Sequence, residues 1–116
     1  MAADPLLIRH RLHGGTPVRL RLPHGSDHAR LARLCERAGV EPREHDPRRL
    51  LRFDPRSRTV ICAVHLDGTR EALVGVAAMD LDPDGEPDVV LVDPGHPGID
   101  GLLHRALRQR AAARAR

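Results

Sequence analysis

The chain of 116 residues has no tryptophan, no tyrosine and one phenylalanine, Phe53. So few aromatics leave Leu, Val, Ile and Ala to fill the core, and they count against a platform on which nucleic-acid bases stack. There is no lysine either: all nineteen basic residues are arginine. Abundant Ala, Pro and Gly alongside make GC-rich codon usage the plain source of this bias. The functional alternative is recognition of phosphate by the planar guanidinium. No apolar run of 18 residues and no secretory apolar region occurs, so a protein of the cytoplasm without a membrane span is expected. The two cysteines, Cys35 and Cys62, sit in apolar patterns and read as small buried hydrophobes rather than a disulfide or redox pair.

Charge is present but unevenly placed. The net charge is +3, divided as +6 over residues 1–58, −7 over 59–97 and +4 over 98–116. A segmented chain of this kind is a poor match to a nucleic-acid binder, whose basic surface is usually continuous. The length fits one small domain, residues 1–116.

Hydropathy patterning supplies the elements. Leu6, Ile8 and Leu12 alternate, as do Val18, Leu20 and Leu22, across the "HGGTP" turn, which predicts a hairpin over 6–12 and 17–22. Arg9, Arg11, Arg19 and Arg21 fall on its opposite, wet face. Leu31, Leu34, Cys35 and Ala38 recur at helical spacing between a Ser26 or Asp27 cap and Gly39. Asp46 and Pro47 open a short second helix that buries Leu50 and Phe53. "RTVICAVHL", "ALVGVAAMDL" and "DVVLV" are strands joined by acidic turns, an antiparallel meander with Gly75 marking a bulge or a close approach. The glycine-rich loop "VDPGHPGIDG" then opens a helix with Ile99, Leu102, Leu103, Ala106 and Leu107 on one face, and the "AAARAR" tail is expected to fray. The expected fold class is α+β.

A helix start rich in glycine presents free backbone N–H groups, so an anion can bind there. Asp93 and Asp100 oppose that by placing negative charge where a phosphate would lie. No repeated ligand spacing joins His96 to these acids, so no metal site is expected. Cys62 and His65, three apart on a strand, face opposite sides and form no nucleophile–base pair.

Two stretches carry a resemblance. "LHGGTPVRLRLPHGSDHARLARL" is similar to the opening hairpin and first helix of bacterial GNAT-superfamily acetyltransferases related to protein lysine acetyltransferases. "ALVGVAAMDLDPDGEPDVVLVDPGHPGIDGLLHRAL" resembles that family's cofactor segment, a strand pair followed by a Gly-x-Gly loop and helix. The resemblance spans about residues 10–113 and implies the first half of the GNAT fold, with the family's later strand, helix and two strands missing. It implies acetyl-CoA as donor for acyl transfer to an amine. Leu91 and Val92 would pair with its pantetheine, and Gly98, Ile99 and Gly101 would lie in the pyrophosphate loop. Asp88 matches the family's acid that helps deprotonate the amine. The chain departs from the family pattern in three ways. It has Gly95 or Pro97 where the loop carries Gln or Arg, Asp100 where it carries a small residue, and no tyrosine to protonate the leaving group. An inactive GNAT-like binding or regulatory module is therefore the alternative. The open edge of strand 88–92 is expected to invite a second copy of the chain as a homodimer.

Overall fold

The computed structural model describes residues 6, 9–12, 17–41, 47–82 and 85–114. Their order is β1 (Arg9–Arg11), β2 (Pro17–Arg21), α1 (His28–Ala38), α2 (Pro47–Leu51), β3 (Arg58–Asp67), β4 (Arg70–Asp80), β5 (Val89–Val92) and α3 (Ile99–Arg114). The five strands form one antiparallel sheet in chain order. This is the α+β architecture expected, with a hairpin, two helices, a meander and a closing helix. The hairpin turn at Gly14 and Gly15, and Asp46, lie outside the described residues.

Both faces of the sheet are covered, and the strand alternation shows how. Val18, Leu20, Ile61, Ala63, Val74, Ala77 and Met79 point to one side, where Ile99, Leu103 and Leu107 of α3 meet them. Val60, Cys62, Val64, Leu73, Val76 and Leu91 point to the other, against Leu31, Leu34, Cys35 and Leu50 of α1 and α2. Each large aliphatic side chain removed from water in this way contributes about 1.5–3 kcal/mol.

Gly75 is both the bulge and the close approach that its position suggests. Ala63 pairs with Gly75 and Val64 with Leu73, so Val74 is the extra residue of a β-bulge. A Cβ at Gly75 would overlap Ile99 Cγ2 and lie 2.9 Å from Leu103 Cδ1, so the glycine lets the first turn of α3 lie down on the sheet. Gly39, at φ 72°, ends α1 in the left-handed conformation, and Val40 N–H donates to Cys35 O at 2.9 Å.

Three sequence expectations change. The "AAARAR" segment does not fray at once: α3 continues through Arg114, and Ala111 is buried. Three successive alanines carry the best helix propensity, and the sheet covers one of them. Leu22, expected to point inward with Val18 and Leu20, follows the end of β2 and is 41% exposed. Asp27 does not cap α1 with its side chain; a 3-10 turn, Gly25–Asp27, precedes the helix, and the carboxylate reaches back to accept the His24 N–H at 2.7 Å.

Candidate functional site

The loop between β5 and α3 is held from within by Asp93. Its Oδ1 accepts the Gly95 N–H at 2.9 Å, and its Oδ2 accepts Arg37 Nε at 2.8 Å. Its own N–H donates to Val74 O, and its carbonyl accepts the His96 N–H. Burial alone would raise the Asp93 pKa, but the Gly95 amide and the Arg37 charge outweigh it and hold the carboxyl below its usual range. The negative charge that argued against an anion at this loop is therefore turned inward and matched by Arg37. It still removes the Gly95 N–H from those the loop offers. His96 Nδ1 lies 3.6 Å from Asp93 Oδ2 and is buried without a hydrogen-bond partner.

Past the loop, Gly98 takes φ 94°, a conformation that disfavours any side chain, and turns the chain into α3. Leu102 N–H donates to Gly98 O at 3.2 Å, so the N–H groups of Ile99, Asp100 and Gly101 precede the first helical bond. Gly98 and Gly101 line a cleft of about 370 Å³. Its other wall is not β5 but the end of β1, where Arg11 and Leu12 lie, and Asp100 and Arg105 complete it. Ile99 points away from the cleft and is fully buried under the sheet.

The β5 residues fall in different places. Asp93 N–H reaches β4, so by antiparallel alternation the peptide groups of Leu91 also face β4 while those of Val92 face the open edge. Leu91 is buried against α1 and its neighbours, and Val92 is half-buried on the α3 side. Val90, 42% exposed, marks the uncovered stretch of the same strand. Asp88 precedes β5 at the end away from the loop, and its N–H bonds to Ala78 O. Both its oxygens are taken by Arg58, at 2.7 and 2.8 Å. The Arg58 hydrogen bonds hold the Asp88 carboxyl below its usual range, against the smaller opposing effect of burial. Gly98 and Gly101 are thus brought together, Val92 lies at the neighbouring edge, and Asp88, Leu91 and Ile99 are committed elsewhere.

One polar cluster was not read from the sequence. Asp27 is fully buried, and its two oxygens take Arg21 Nη1 and Nη2 at 2.7 Å each. Arg30 adds a contact at 3.2 Å, and Glu71 binds Arg21 Nε at 3.1 Å. Burial alone would raise the Asp27 pKa, but the Arg21 bonds and the His24 N–H bring it down to about 2. Arg21 is therefore not on a wet face, although Arg11 and Arg19 are exposed. The only sequence signal was an aspartate six residues after a strand arginine. Burial pushes the Cys62 thiol up to about 12 and raises that of Cys35, which makes both inert at neutral pH. His65 sits on the face opposite Cys62, half-buried, with its ring 5.7 Å from that of His96. Among the described residues no helix is long and apolar enough to cross a membrane. Set against protein-family models, curated proteins and solved structures, the chain matches none of them.

Proposed function

We propose that the chain is a GNAT-like half-fold that holds an acyl-CoA without transferring its acyl group. The element order supports the resemblance: hairpin, helix pair on one face, antiparallel meander, then a glycine turn into a helix on the other face. Val92, with its peptide groups on the open edge, is the residue that would pair with an extended pantetheine. Leu91, whose peptide groups face β4, would not. The first turn of α3 would receive the diphosphate.

The observation that carries the non-catalytic reading is the Asp88–Arg58 pair. A general base works best with a pKa near the working pH. Arg58 binds both Asp88 oxygens and holds the carboxyl below its usual range, which makes it a weaker base.

Calorimetric titration with acetyl-CoA, paired with an acetyl-transfer assay on small amines and lysine peptides, tests this. Micromolar binding without turnover is the expected result. Turnover that disappears in Asp88→Asn would replace the proposal with an active acetyltransferase, and no heat at millimolar acetyl-CoA would remove both. The open β5 edge also gives a second copy somewhere to pair, in competition with the ligand.

A further inference from the structure

His65, near the end of β3, and His96, in the loop that follows β5, come together only in the folded chain. Their ring centres are 5.7 Å apart and the ring planes are inclined at 48°. The spacing around His96 in the sequence shows nearby acids and gives no sign of this second imidazole.

The surroundings fix the proton on each ring. His65 Nδ1 lies 3.1 Å from Pro17 O, which can only accept, so Nδ1 carries the hydrogen. His96 Nδ1 lies 3.6 Å from Asp93 Oδ2, and a bare lone pair there would face those of the carboxylate, so this Nδ1 carries its hydrogen too. Each Nε2 is left with a bare lone pair. His96 Nδ1 is the one buried side-chain nitrogen or oxygen without a partner among the described residues. The two Nε2 atoms, which no described group binds, therefore meet solvent.

Histidines that ligate a metal carry this outer arrangement. The second ring nitrogen donates to a backbone carbonyl or a carboxylate, which orients the ring and makes the ligating nitrogen more basic. Two imidazoles on one tetrahedral zinc, with Zn–N bonds of about 2.0–2.1 Å, have ring centres about 5–5.5 Å apart. The observed pair is a small side-chain adjustment from that separation. Asp93 stays an outer partner, because Gly95 N–H and Arg37 hold its oxygens. Among the described residues no three His, Cys, Asp or Glu converge as a ready metal cluster, so water completes the coordination. Imidazole nitrogens take ions such as zinc, copper or nickel, whereas magnesium and calcium prefer oxygen.

We propose that His65 and His96 bind a divalent cation of the zinc class through their Nε2 atoms, with Pro17 O and Asp93 as the outer partners. The ion ties β3 to the loop that leads into α3. It binds the folded chain alone and therefore stabilises it. The site is independent of the acyl-CoA reading.

Calorimetric titration of the untagged chain with zinc chloride, together with long-range proton–nitrogen NMR spectra of the histidine rings, tests this. Wild type is expected to take up one zinc ion with micromolar affinity. Before zinc, both rings should show the Nδ1–H tautomer; zinc should then move the Nε2 signals of His65 and His96 and of no other histidine. His65→Gln and His96→Gln should each bind zinc about tenfold or more weakly, at least the loss that removing an outer partner causes. His28→Gln, exposed on α1, should bind as wild type does. Zinc should raise the melting temperature of wild type and His28→Gln but not of the other two. No heat at millimolar zinc would overturn the proposal, as would undiminished affinity in either variant of the pair or zinc-shifted signals at other histidines. If either variant fails to fold, the wild-type spectra decide.

Discussion

Arg37 ties Asp93 to the bulged strand: its Nε binds Asp93 Oδ2 at 2.8 Å while its Nη2 binds Leu73 O. One side chain from α1 thus fixes both the loop that leaves β5 and the backbone of β4 beside Val74. Asp93→Ala leaves the Gly95 N–H and the Arg37 guanidinium without this acceptor. A loss of about 1–3 kcal/mol is expected in urea unfolding, with Asp93→Asn losing less because its amide oxygen still accepts one bond.

The Asp27 cluster sets an acid limit. Its carboxyl has pKa about 2 in the folded chain, below the ordinary 3.8, so the unfolded chain binds the proton more tightly. The stability it contributes is complete above the unfolded value and is lost as pH falls toward 2. That amounts to about 2 kcal/mol over this window. Stability measured from pH 6 to pH 2 in wild type and Asp27→Asn should show the variant less stable at pH 6 and less steep on acidification. Equal slopes would contradict the assignment.

Gly75 admits α3 to the sheet, so Gly75→Ala forces Ile99 and Leu103 to move. Overpacking of this kind costs about 1–3 kcal/mol. The melting temperature should drop, and Ile99→Val or Ile99→Ala in the Gly75→Ala background should recover part of the loss by making room.

Cys35 and Cys62 are both buried with raised thiol pKa values. Neither should react with an aromatic disulfide reagent at pH 8 until the chain unfolds, when both should react together. Prompt labelling of the native protein would mean that the core beneath α1 opens readily.

If the β5 edge is where a second copy pairs, sedimentation velocity should show a concentration-dependent dimer that Val90→Lys weakens. Acetyl-CoA should shift the same equilibrium toward monomer, since both use the Val92 edge. A dimer indifferent to both would place the contact elsewhere.

Much of the framework was legible because period and side agree. Ile99, Leu102, Leu103, Ala106 and Leu107 recur at helical spacing and are all buried. Val60, Cys62 and Val64 alternate with Ile61 and Ala63, and the two sets supply opposite faces of the sheet. Arg21 was misplaced because alternation tells only which residues share a face. It cannot tell that α1 and the Gly25–Asp27 turn cover the face opposite Val18 and Leu20. Asp93 was weighed by its charge, whereas direction decides its role, and that depends on Arg37, 56 positions away. For Asp88 the composition of the strand start was visible, but its bond to Arg58 spans 30 residues and needed the sheet to form first.

The bulge at Val74 makes β4 a strand with two phases. From Val76 onward even-numbered residues face α1; before the extra residue odd-numbered ones do, which is how Glu71 and Leu73 share a side with Val76. Removing Val74 would therefore leave an unbroken alternation in which residues 70–73 keep their faces and their partners on β3, Leu73 still toward α1 and Glu71 still beside Arg21. The extra residue is thus what lets β4 carry one position more than β3 without exchanging an inside for an outside at that end of the sheet.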